Sequence, residues 1–192
     1  MTQIISTGLG NFSKEKFNAL LNVRSSALSS IRRALVREGY TEVSTSTLVN
    51  IAGSCENPYA SFKLNYYGRE AHLSQSAQLQ LEALVLRLRR GVFTVNNSFR
   101  EESYDDPEMK GRRLSEFTLI EPERPYAGLS PEKALNEVMA TEEKVLKYAI
   151  KEVIKKNKKD LLVLGANVPY LKQCVLKKFS RRAGNPRVLT RG

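Results

Sequence analysis

The sequence has no tryptophan, one histidine and two cysteines in 192 residues. With His72 as the sole histidine, a metal site built from two histidines of one chain is excluded. Its surroundings, "REAHLSQS", carry no Ser–His–Asp logic, so a surface or half-buried structural ring is expected. Cys55 and Cys174 lie far apart and in no metal-type spacing, which predicts two reduced thiols rather than a disulfide framework. No apolar run approaches the ~20 residues that span a bilayer. The opening "MTQIISTGLGNFSKEK" has no basic flank followed by an apolar stretch. No signal peptide and no membrane partner are therefore expected, and the expected location is cytoplasmic.

Apolar residues are not scarce. At 41% of the chain they allow a sizeable core, in one large domain or two small ones. The formal net charge is +11, and its distribution says more than its size. Residues 171–192 hold seven Lys and Arg and no acid. Two readings fit this basic C-terminal tail: a solvated terminus, or an arm that meets phosphate.

Apolar spacing predicts a long helix over 13–38, with Phe17, Leu20, Leu21, Leu28, Ile31 and Leu35 as its stripe. Ser13 suits its start and Gly39 its end. "YTEVSTSTLV" (40–49) is rich in β-branched residues and reads as one strand, followed by a loop over 50–61. Two short strands at 62–67 and 70–75 are expected to turn at Tyr67–Gly68. A helix over 76–90 would point Leu79, Ala83 and Leu86 inward. Strands at 91–102 and 114–123 form an antiparallel pair. Ser130–Pro131 opens another helix, buried through Leu135, Val138, Val145, Leu146, Ala149 and Val153, and fading in "KKNKKD" (155–160). This order predicts an α+β fold around an antiparallel sheet flanked by helices.

The hairpin carries the chemistry. Side chains alternate along a strand, so Ser115, Phe117, Leu119 and Glu121 share one face, with Phe117 and Glu121 about 13 Å apart. Arg100 and Glu102 share a face of the other strand. An aromatic plane, a guanidinium and a carboxylate in a row suit a flat base, a phosphate and an ammonium group. Those are the parts of an aminoacyl-adenylate. An ordinary charged hairpin tip over a half-buried sheet fits the same residues. The connecting loop, 103–113, is longer than the two to five residues usual in a hairpin.

"FREE" (99–102) followed by "RRLSEFTLIEPE" (112–123) resembles the second signature motif of class II aminoacyl-tRNA synthetases. "IRRALVREGYTEVSTSTLV" (31–49) is similar to their first motif, a helix and strand that pack a dimer interface. "IAGSCENP" (51–58) looks like the loop whose Glu meets the substrate, and "AHLSQSAQLQLEAL" (71–84) like the serine–glutamine segment. The likeness runs from about residue 13 to about 165, in the family's order. It is strongest to the asparaginyl and aspartyl subgroup, and within it to the asparaginyl pattern. Aspartyl relatives carry a Lys where this chain has Leu81. A buried carboxylate needs a paired cation, whereas an amide needs only hydrogen bonds.

The resemblance implies a partial class II catalytic domain over 1–170, with 171–192 as the tail. It implies ATP and Mg²⁺ as cofactors, asparagine or aspartate as substrate, tRNA as acceptor, and a homodimer through residues 20–49. Arg100 would hold the α-phosphate and the reacting carbonyl oxygen. Phe117 would stack on adenine, and Glu102 would contact its edge. Arg113 stands where a His usually faces the γ-phosphate. Glu56 and Glu121 would receive the amino group, with Gln78 orienting the amino acid. No metal ligand is expected among these residues.

No third motif, a Gly-rich strand and helix ending in an Arg, and no anticodon-binding barrel are seen in the sequence. The expectation is that another polypeptide completes the site, that the chain is a fragment, or that it is a degenerate paralogue. The competing functions are a tRNA-independent ligase of asparagine-synthetase type and a non-catalytic tRNA-binding or regulatory protein.

Overall fold

A computed structural model of the chain describes residues 13–51, 60–102 and 114–176. The chain divides into two compact units, residues 1–34 with 131–192, and residues 35–130.

Helix α1 (Lys14–Arg37) starts in the first unit. Ser13 caps it, its Oγ accepting the Lys16 amide at 3.2 Å. It ends in a Schellman turn. Gly39 takes the left-handed φ of +86°. Its amide donates to the Val36 carbonyl, and the Tyr40 amide to that of Leu35. The rest of the first unit is α3 (Pro131–Lys156), α4 (Lys158–Val163) and α5 (Val168–Leu176). Its core joins Val153, Leu161 and Val168 with Val23 and Ala27 of α1. Arg33 pairs with Glu152 at 3.2 Å beside it.

Two expected stripes hold only in part: Leu35 of α1 and Val145, Ala149 and Val153 of α3 are buried as expected, and other positions differ. In α1 the buried positions are Ala19, Ser30, Ala34 and Leu35, while Leu20 and Leu21 are exposed. In α3 the buried line is Thr141, Val145, Ala149 and Val153, at four-residue steps, and Leu135 and Leu146 are exposed. Small side chains let helices approach closely, so the contact follows the small residues rather than the longest apolar ones. The charged run at 155–160 does not end helical structure. It breaks only at Asn157, whose Nδ2 donates to Asp160 as α4 begins.

The second unit holds the strands. β1 (Thr41–Glu42), β5 (Val92–Phe99) and β6 (Glu116–Glu123) form one sheet in the order β1-β5-β6, with β1 parallel and β6 antiparallel to β5. β2 (Leu48–Val49), β4 (Arg69–Leu73) and β3 (Lys63–Tyr66) form a second, antiparallel sheet. Helix α2 (Gln78–Leu88) connects β4 to β5.

The single strand expected over 40–49 is two short strands in different sheets. Between them side chains replace the backbone ladder. Gln80 of α2 grips Ser46, its Oε1 accepting the amide at 2.8 Å and its Nε2 donating to the carbonyl at 2.9 Å. Asn96 Nδ2 donates to Thr45 Oγ1 at 3.0 Å. α2 also turns a different face inward from the one its spacing suggested. Ala77 and Leu81 pack on Val92, with Val43, Leu84 and Val85 around them. Leu79, Ala83 and Leu86 are exposed. The sheet meets the helix at Val92, and that contact selects the Leu81 side.

The β3–β4 turn falls where expected. Tyr67 and Gly68 both take positive φ, 52° and 80°, the pattern of a type I′ turn. His72 sits on β4, the central strand of the second sheet, opposite Val49 of β2 and Lys63 of β3. Its Nδ1 is 3.2 Å from Ser61 Oγ and its Nε2 is 3.4 Å from Glu70. Among the described residues, Cys174 is a free thiol. No helix there is long and apolar enough to cross a membrane.

Candidate active-site face

β5 and β6 pair in full register, Ser98 opposite Phe117 and Thr94 opposite Glu121. Cross-strand partners share a face. Phe117, Leu119, Glu121 and Glu123 therefore line up with Ser98, Asn96, Thr94 and Val92. α2 covers the Val92 end of this face through Leu81. Past Phe99 the chain stays extended, because the Arg100 amide donates to the Ser115 carbonyl at 2.9 Å. That bond puts Arg100 on the Phe117 side. Its guanidinium carbon stands 5.2 Å from the centre of the Phe117 ring, inside the range of a cation–π contact. Both side chains are half-buried, neither sealed in the core nor on opposite faces.

Glu121 belongs to the same row, and its carboxylate is engaged. Ser76 Oγ donates to it at 2.6 Å, and the Ala77 amide reaches both oxygens at 3.0 and 3.2 Å. The Gln78 amide in turn donates to Ser76 Oγ at 3.1 Å. Glu121 thus serves the start of α2 from across the sheet, where a negative charge meets the positive end of the helix dipole. Gln78 opens that helix, and its Nε2 donates to Glu82 Oε1 at 2.8 Å. Glu102 is half-buried just past Arg100. Glu56 and Arg113 lie outside the described residues.

Two further carboxylates lie in this region. Glu123 follows Glu121 on the same face, and Glu82 sits one turn along α2 from Gln78. Burial, then the charges of Glu82 and Glu121, push the Glu123 carboxyl above its ordinary value. The alternation that selected Phe117 and Glu121 extends to Glu123 and was the available signal. Among the described residues no three His, Cys, Asp or Glu side chains could together hold a metal ion.

The comparisons with known proteins agree with this geometry. The family model described as tRNA synthetases class II (D, K and N) matches residues 7–184. The asparagine–tRNA ligase of Pyrococcus abyssi is 32% identical over 157 residues, 82% of this chain and 33% of that protein. The aspartate–tRNA(Asp/Asn) ligase of Sulfurisphaera tokodaii is 31% identical over 159 residues, 83% of this chain and 34% of that protein. Among solved structures, asparaginyl-tRNA synthetase from Pyrococcus horikoshii complexed with asparaginyl-adenylate superposes with a TM-score of 0.71. It is 30% identical, over 83% of this chain and 34% of that one. The chain thus spans about a third of the length of the relatives it matches. Four motifs in order, the paired strands that present Arg100 beside Phe117, and a family match over most of the sequence lead to one assignment: the chain belongs to the class II tRNA synthetases of the D, K and N group.

Proposed function

We propose that the β5–β6 face binds ATP and an amino acid for adenylate formation, as part of an asparaginyl-tRNA synthetase-type activity. The observation that carries this reading is the stack of Arg100 on Phe117. A guanidinium and an aromatic ring on one half-buried face offer a phosphate clamp beside a base platform. The Pyrococcus horikoshii neighbour, complexed with asparaginyl-adenylate, supports the choice of ligand.

Arg100 would neutralise charge growing on the α-phosphate as the amino acid carboxylate attacks in line and pyrophosphate departs. The chemistry is positional and asks for no covalent nucleophile from the protein. Adenine would lie on Phe117, displacing the guanidinium toward the phosphate, with Glu102 at its edge and Arg113 toward the γ-phosphate. Gln78 and Glu56 would orient the amino acid. Glu121 would act near the amino group while holding α2. Asparagine is the proposed substrate over aspartate, tRNA the acceptor, and residues 20–49 the dimer surface. The proposed location is the cytoplasm.

The test is calorimetric binding of ATP and adenosine to the whole chain. Phe117→Ala should weaken both ligands by the worth of one stacked base, about 1–3 kcal/mol. Arg100→Ala should weaken ATP far more than adenosine. Equal ATP binding by wild type and both variants overturns the site, as does failure of the wild-type chain to bind ATP. Pyrophosphate exchange with asparagine or aspartate then identifies the amino acid.

A further inference from the structure

We infer that Gln75 is a positioning residue for the phosphate end of this face; the inference rests on the nucleotide-binding reading above. Gln75 lies in the four-residue link Ser74–Gln75–Ser76–Ala77 between β4 and α2, and it is 1% exposed. The link makes contact with both ends of the candidate row. At one end, Ser76 Oγ and the Ala77 amide hold Glu121. At the other, the Ser74 carbonyl accepts the Phe99 amide at 2.9 Å. Gln75 supplies the remaining tie. Its Nε2 donates to the Ala60 carbonyl at 3.0 Å, and that same carbonyl accepts the Glu101 amide at 2.8 Å.

These bonds fix Arg100 from both sides. The Phe99 and Glu101 amides point to one edge, into Ser74 and Ala60. The Arg100 amide points to the other, into Ser115. Phe99–Glu101 is therefore clamped beyond the end of the β5 ladder, and the Arg100 side chain projects over Phe117 from a backbone held on two edges. Ala60 has no strand of its own to hold it, since β3 begins only at Lys63. Its carbonyl has two lone pairs, one for the strand and one for the amide of Gln75. A buried glutamine is a costly choice for a mere filler, because its polar head needs partners. Here it places the carbonyl that places Glu101, and through it Arg100.

Arg100 meets phosphate in the nucleotide-binding reading, whereas Phe117 meets the base from β6. Loss of the Gln75 tie should therefore act on ATP and spare adenosine. Gln75→Met keeps the volume and removes the donor. The expected result is ATP affinity down on the order of tenfold, the scale of a small misplacement of a binding group, with adenosine affinity within about twofold. In the Arg100→Ala background the Gln75 change should add little further loss, since residues acting through one group are not additive. Gln75→Asn, with an amide one methylene too short to reach Ala60, should show the same split and guards against a misfolded Met variant. A purely structural glutamine would lower the melting temperature and leave the ATP-to-adenosine ratio unchanged, which overturns the proposal. Equal loss of both ligands by folded variants overturns it as well. If the wild-type chain binds no ATP, the nucleotide-binding reading itself fails. If wild type binds and Arg100→Ala does not while both Gln75 variants do, only the role of Gln75 fails.

Discussion

Removing the Glu121 carboxylate is the most direct way to test how β6 and α2 depend on each other. The group accepts from Ser76 Oγ at 2.6 Å and from the Ala77 amide at 3.0 and 3.2 Å. Glu121→Ala leaves a hydroxyl and the amide at the head of α2 without this acceptor. Hydrogen bonds to a charged group contribute about 1.5–3 kcal/mol each. A carboxylate at a helix N-terminus adds about 0.3–1 kcal/mol. Two terms reduce the total. The site is half-buried, so water replaces part of what is lost, and repulsion between Glu121 and Glu123 disappears. The net expectation is a loss of about 2–3 kcal/mol, which for a chain of this size lowers the melting temperature by roughly 4–12 °C. Glu121→Gln keeps one acceptor oxygen and loses the charge, and should fall about midway.

Circular dichroism melting at neutral pH reads the effect, with Glu116→Ala as the control. Glu116 is an exposed carboxylate on the opposite face of the same strand, bonded to Asn97 at 2.8 Å. The double variant with Ser76→Ala should be non-additive, since both changes remove one bond. If Glu121→Ala melts with the control, the carboxylate does not organise α2 and the reasoning fails. Should the double variant instead be strictly additive, the bond to Ser76 is not the source of the stability.

Glu123→Gln should stabilise the protein at pH 7. Its raised folded pKa means the folded state binds the proton more tightly, so stability is lost as pH rises from 4.5 through that pKa. The gain over wild type should shrink on acidification and vanish below about pH 4 in urea titrations; a gain independent of pH would refute it. Tyr67→Asn should stabilise the β3–β4 hairpin by about 1 kcal/mol, because Asn tolerates the left-handed φ of 52° that costs a tyrosine. An unchanged or lower melting temperature would contradict this. Gly91→Ala should destabilise by about 1–3 kcal/mol through overpacking, since its new methyl would sit 3.0 Å from the buried Tyr40 ring. Adding Tyr40→Leu should recover part of that loss in the same melts, and no recovery would place the strain elsewhere.

The local signals were sufficient wherever one residue's chemistry decides one feature. Ser13 and Gly39 marked the ends of α1, Tyr67–Gly68 marked a turn, and the alternation from Ser115 to Glu121 put Phe117 and Glu121 on one face. The order of the motifs named the family. Which apolar residues would be buried was legible only in part: Leu35, Val145, Ala149 and Val153 are buried as their spacing implies. Leu20, Leu21, Leu79, Leu86 and Leu135 satisfy helical spacing, yet the buried lines pass through Ala19, Leu81 and Thr141. Periodicity defines an apolar stripe but carries no knowledge of the surface it meets, and the neighbouring element selects the contact. The division of 40–49 between two sheets and the hold of Glu121 on α2 came about for the same reason. Each depends on partners more than thirty residues away, Gln80 for Ser46 and Ser76 for Glu121. Such contacts exist only after the chain has folded back on itself, and only the tertiary structure could decide them.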